Sequence, residues 1–224
     1  KIETYVKKNE KHLNWLDYED ILNKAENGDL ILLAGDTRGE KLCRWFPGSI
    51  FSHVGLLLRE RDQTSGEDKV YIWDCDLGQG HKEGVRMSLL DHKIRHYKGF
   101  RIGALKKLKV GINRRRPDTQ DIVNLYQKYK HLGFDNVIAT WFLADYPMLY
   151  KMAKDPDTVF CGEMVAEALQ NLGILKKDRV PAWHVPGDFY LPKNRIHMED
   201  EYEYKTTYFF RFPEEIEKIA PISD

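Results

Sequence analysis

Apolar and polar positions alternate in blocks that predict a sheet in the first half of the chain and helices in the second. Residues 1–27 are charged and interrupted, with Tyr5, Leu13, Leu16, Ile21, Leu22 and Ala25 at spacings that predict one or two short helices, the second closed by Asn27-Gly28. Gly28-Asp29 then opens Leu30-Ile31-Leu32-Leu33-Ala34, an unbroken apolar run of strand length. Residues 40–47 read as a short helix ended by Pro47-Gly48. Strands follow over Phe51 to Leu58 and Val70 to Asp76, with two more over Val85 to Met87 and Gly99 to Leu105.

Beyond residue 106 the period lengthens. Ile122, Leu125, Tyr126 and Tyr129 predict a helix over 118–130, and 135–154 repeats the pattern with a break at Pro147. A third helix runs from Phe160 to Leu172, with Asp157 and Thr158 as cap candidates and Gly173 as its C-terminal stop. A last strand candidate is Tyr204 to Phe212. The expected class is α+β, a mostly antiparallel sheet of five to six strands with helices gathered elsewhere. One domain over 1–224, with a helical insertion at about 107–156, accounts for the length.

Composition narrows the function. The 35 basic and 35 acidic residues cancel, so net charge calls for neither nucleic acid nor an anionic membrane. The Arg114-Arg115-Arg116 run is too short to change that. No apolar run approaches the ~20 residues of a membrane span. Cys43, Cys75 and Cys161 form no CxxC and are odd in number, which argues against a zinc cage or disulfide framework; no metal or cofactor is expected. The sequence opens at Lys1 rather than methionine, as a trimmed leader would leave it, so compartment stays open, as does oligomeric state.

Three positions carry candidate chemistry. Cys161 falls in the first turn of a helix, where unpaired N–H groups and the dipole stabilise a thiolate and, later, an oxyanion; the Cys161 N–H is the expected donor. His53 interrupts an apolar strand. Alternation separates it from Ser52, Val54, Leu56 and Leu58, and Gly55 leaves room on its own face. Asp74 and Asp76 share a face at the end of the next strand, and either can orient an imidazole. Cys75 faces away as packing, and Tyr71 and Trp73 pack opposite Asp74. His184 reads as structural; His81, His92 and His96 read as surface residues. Trp45 and Phe46 suit either a cleft wall or the core.

Taken together, Gly28-Asp29, Phe51-Ser52-His53-Val54-Gly55-Leu56, Val70-Tyr71-Ile72-Trp73-Asp74 and Phe160-Cys161-Gly162-Glu163-Met164-Val165 resemble the circularly permuted NlpC-type papain-like superfamily, in particular its YiiX-like branch. Poxvirus relatives belong to that branch, and lecithin–retinol acyltransferase is a more distant cousin. Val85-Arg86-Met87-Ser88-Leu89-Leu90 is similar to the family's G-V-R-x-x-P-L stretch, and Pro186-Gly187-Asp188-Phe189 to its P-x-D-L. The resemblance covers roughly 25–105 and 157–190. It departs from the pattern at Gly162, where serine is usual, and at Asp74, where glutamate is common.

The resemblance implies a permuted papain-like fold and a cysteine hydrolase: an acyl-enzyme on Cys161, His53 as general base and Asp74 as its orienting partner. Amide, peptide or (thio)ester bonds are the expected targets, in peptide, peptidoglycan-like or lipid acyl substrates. A lipid acyltransferase or deacylase using Trp141-Phe142-Leu143, Met148, Leu149 and Met152 is the alternative enzyme, and a catalytically silent binding module the alternative class.

Overall fold

The computed structural model describes residues 2–35, 49–62, 66–76, 84–134, 155–191 and 195–213. The helices expected over 40–47 and 135–154, with Cys43, Trp45, Phe46 and His81, lie outside them. Within them the chain is α+β. Helices α1 (Ile2–Asn9) and α2 (Tyr18–Lys24) precede strands β1 (Leu30–Gly35), β2 (His53–Arg61), β3 (Asp68–Asp76) and β4 (Gly84–Leu89). Helix α3 (Leu90–His96) leads into β5 (Gly99–Val110) and α4 (Thr119–Tyr129). The short strands β6 (Gly133–Phe134) and β7 (Thr158–Val159), helix α5 (Cys161–Asn171) and β8 (Tyr202–Arg211) complete the order.

Six strands form one sheet in the order β4-β3-β2-β1-β5-β8, and every neighbouring pair is antiparallel. β1 lies between β2 and β5, which explains its unbroken apolar run: both faces are covered. Leu30 and Leu32 join Val54, Leu56 and Trp73 on one face, against Met164, Val165, Ala168 and Leu169 of α5. Ile31 and Leu33 join Leu57, Ile72 and Leu105 on the other, against Tyr18 and Ile21 of α2 and Leu90 and Ile94 of α3. Each fully buried Leu or Ile contributes about 1.5–3 kcal/mol of transfer free energy, so the central strands anchor the fold.

Two sequence expectations need correction. β5 runs on to Val110, so positions 107–110 belong to the sheet rather than to the insertion. Lys107 and Lys109 hide this continuation. Lys107 reaches Asp29 (2.5 Å) and Glu26 (2.7 Å), and Arg116 also bonds Asp29 (3.0 Å). Asp29 is fully buried and accepts in addition from the Leu108 N–H (2.9 Å), so the Gly28-Asp29 motif ties β1 to β5. Gly28 itself turns at φ +82°, a conformation that favours glycine. The second correction concerns α5. Its N-cap is Phe160, not Asp157 or Thr158, and no side chain caps it. Thr158 pairs instead with Gly133 in the β6–β7 ladder. Asp118 does cap α4, accepting from the Asp121 N–H (2.9 Å) in a capping box.

Candidate functional site

Cys161 is the first residue of α5 and is 6% exposed. The first backbone bond of the helix runs from the Met164 N–H to the Phe160 carbonyl (2.9 Å). The N–H groups of Cys161 and Gly162 therefore precede the helix's own ladder and gather beside the thiol, at the positive end of the dipole. Gly162 is required sterically, because a Cβ there would lie 2.2 Å from the carbonyl oxygen of His184. The segment that presents this carbonyl is held by Asp188, which accepts from the Val185 N–H (3.0 Å), and by fully buried Phe189. The Pro-Gly-Asp-Phe stretch thus fixes one wall against the start of α5. A serine at 162 would meet the same carbonyl.

His53 opens β2 and is 6% exposed. Its Nε2 lies 2.7 Å from Asp74 Oδ2. Gly55 permits the close packing beneath, since a Cβ there would sit 2.5 Å from Ile72 and 3.3 Å from Asp74 Cβ. The same strand face thus carries His53 and the glycine that lets β3 bring Asp74 under it. Burial acts to lower the imidazole pKa. Electrostatic attraction from Cys161, with hydrogen bonds to Asp74 and Cys161, outweighs it and pushes the value up to about 10.

The two aspartates of β3, equivalent by alternation, separate by their partners. Asp74 is fully buried and meets His53; Asp76 meets Arg86 of β4 (2.8 Å) and Lys93. Lys93, on α3 and 6% exposed, also reaches Asp74 Oδ2 at 2.6 Å. Burial would raise the Asp74 pKa, but Lys93 and His53 hold its carboxyl well below the usual range, and Lys93 itself is pushed up by the two aspartates despite its burial. Asp74 Oδ1 faces Arg86 Nε across 3.9 Å. Lys93 escaped the sequence reading because 90–96 resembles a polar helix, and only its place in the i, i+4 pattern beside Leu90 and Ile94 marked an inward position. The family-like Val85-Arg86-Met87 stretch held the signal for Arg86.

Cys75 is buried and its thiol donates to the Val159 carbonyl (3.0 Å), so it packs behind β7. Its thiol pKa is pushed far up, chiefly by burial. Trp73 packs on Tyr126 and Tyr129 (ring centroids 6.0 Å from each), on the face away from Asp74. His184 is buried, with Nδ1 3.2 Å from the Pro181 carbonyl, and His92 and His96 are exposed and stacked (4.3 Å). Among the described residues no group of three or more His, Cys, Asp or Glu side chains is placed to hold a metal ion. No helix there is long and apolar enough to cross a membrane. The apolar residues at 141–152 lie outside the described residues.

No protein-family model matches the sequence. The chain is 29% identical over 185 residues to an uncharacterised protein, R372, of Acanthamoeba polyphaga mimivirus, covering 69% of this chain and 70% of that one. Among solved structures it is similar to that of metalloprotein YiiX (DUF1105) from Escherichia coli O157:H7. That similarity has 19% identity and a TM-score of 0.44, and covers 66% of each chain, just under two thirds of the length of YiiX.

Proposed function

We propose that the protein is a cysteine hydrolase of the permuted papain-like type, with Cys161 as nucleophile, His53 as the group that moves the proton and Asp74 as its orienting partner. The observation that carries this reading is the buried imidazole with Nε2 on Asp74 (2.7 Å), whose pKa is raised by Cys161, a thiol at a helix start. The quoted sequence motifs, in the order His, acid, Cys, support it independently.

In the reaction, the Cys161 sulfur attacks the substrate carbonyl carbon. The N–H groups of Cys161 and Gly162 receive the resulting oxyanion. As the bond to the leaving amine, alcohol or thiol breaks, His53 delivers its proton to that group and an acyl-enzyme remains. Water, deprotonated by His53, then attacks the acyl carbon, and cleavage of the C–S bond releases the carboxylic acid and the Cys161 thiolate with the proton back on His53. An imidazole pKa near 10 suits a site that starts with the proton already on His53, so that its first act is donation. Peptide, peptidoglycan-like and (thio)ester substrates all supply the carbonyl this chemistry needs.

The test is mass spectrometry of the intact chain after incubation with a panel of peptide, thioester and phospholipid substrates. The expected result is an acyl adduct on Cys161, absent from Cys161→Ala. The adduct's mass distinguishes peptidase from lipid acyl chemistry. Absence of both adduct and product across the panel would favour a binding module and overturn the hydrolase reading.

A further inference from the structure

A cavity lies two strands from His53, where β5 and β8 meet Tyr5 of α1 and residues Phe189, Tyr190, Leu191, Ile196 and Met198. It encloses about 820 Å³. Phe189, Tyr190, Ile196, Met198 and Tyr204 supply an aromatic and aliphatic lining, and Tyr5 and Tyr190 join through their hydroxyls (2.9 Å).

Lys106 of β5 also lines this cavity, and its situation differs from that of the buried Lys93 and the half-buried Lys107. Lys93 and Lys107 each meet carboxylates. Lys106 is 8% exposed and shares the strand face of Ala104 and Ile102, yet its ammonium donates to a neutral group, the Thr207 hydroxyl (3.0 Å). Among the described residues no carboxylate ion-pairs with it. Glu201 and Glu203 line the same cavity, but Glu201 is engaged by the Asn113 N–H (2.8 Å) and side-chain amide (2.6 Å). Burial alone acts on the Lys106 pKa, pushing it down, with no carboxylate to offset it. A buried cation without a counter-ion is costly, and its cost falls when a ligand brings the missing negative charge.

We propose that this cavity binds a small amphipathic anion, with a carboxylate or sulfonate seated on Lys106 and an apolar body against the tyrosine and Ile196–Met198 walls. The size fits a small-molecule site, and its apolar walls are interspersed with charged side chains, Lys106, Lys109 and Lys205 beside Glu201 and Glu203, of which Lys106 is the buried cation without an ion-pair partner among the described residues.

The test uses 1-anilinonaphthalene-8-sulfonate, which carries both features, and its uncharged relative N-phenyl-1-naphthylamine, each followed by fluorescence on the intact chain. The sulfonate probe is expected to bind at least about tenfold more tightly than the neutral one, and Lys106→Met to remove that difference. Decanoate should displace the probe and decanol should not; 2-naphthoate in place of decanoate asks whether an aromatic body is preferred to an aliphatic one. Lys106→Met should unfold at or above the parent's temperature, because it removes an uncompensated buried charge. Equal binding of the two probes, unchanged sulfonate binding in Lys106→Met, displacement by decanol as readily as by decanoate, or a lowered unfolding temperature in Lys106→Met would each overturn the proposal.

Discussion

Lys93 and His53 share one acceptor: Asp74 Oδ2 lies 2.6 Å from the lysine ammonium and 2.7 Å from the imidazole Nε2. One oxygen therefore serves a permanent cation and a titrating one. Lys93 keeps Asp74 ionised and at the same time opposes charge on His53. The His53 pKa is the outcome of this opposition, and that makes it measurable residue by residue.

Replacing Lys93 by Met leaves Asp74 and Asp76 facing each other with one cation fewer. Removing one partner from a buried ionic group costs about 3–5 kcal/mol, and urea denaturation should show a loss of that order. Combining Lys93→Met with Asp76→Asn should recover part of it, since the second change removes the carboxylate left without its cation. Full additivity of the two losses would contradict the shared network.

The imidazole can be followed by NMR titration. His53 is expected to titrate near 10 in the parent. The value should fall in Cys161→Ala and in Asp74→Asn, which each remove an upward influence, and rise in Lys93→Met. An unperturbed value, about 6.5, in the parent would contradict the buried cluster.

Acid sensitivity follows from Asp74. Its folded pKa lies below the unfolded value of about 3.9, so the stability it contributes is present above that value and is lost as pH falls through it toward the folded pKa. Denaturation midpoints of the parent should therefore drop between about pH 5 and 2. Asp74→Asn should be less stable at neutral pH and should show a shallower acid limb. Identical slopes would remove Asp74 from the account.

Gly162→Ala tests the seat of the thiol. The added carbon meets a backbone carbonyl, not a flexible side chain, so the His184 segment must move. A loss of about 1–3 kcal/mol is expected, typical of overpacking, together with slower alkylation of Cys161. Unchanged stability and alkylation would show that the segment yields freely.

Much of this architecture was legible where burial is decided locally. Leu30 to Ala34, Phe51 to Leu58 and the Met164-Val165-Ala168-Leu169 stripe each declare their element through apolar spacing, and their burial follows from it. Alternation likewise placed His53 away from Val54 and Leu56. What alternation could not do was choose between Asp74 and Asp76, because both point the same way; the choice is made by His53 from β2 and by Arg86 and Lys93 from β4 and α3. Lysines were the least legible residues. Lys93, Lys106 and Lys107 carry no apolar signal of their own, yet the first is ion-paired inside the fold, the second lines a cavity and the third, half-buried, pairs with Asp29.

The pairing of β2 with α5 joins residues from opposite halves of the chain, and nothing local holds His53 near Cys161. Contacts so distant in sequence carry a large loop-closure cost and form only with the global core. Alkylation of Cys161 therefore doubles as a clock for folding: its enhanced, His53-dependent rate should return during refolding together with the last tertiary signal, not with the early recovery of helix.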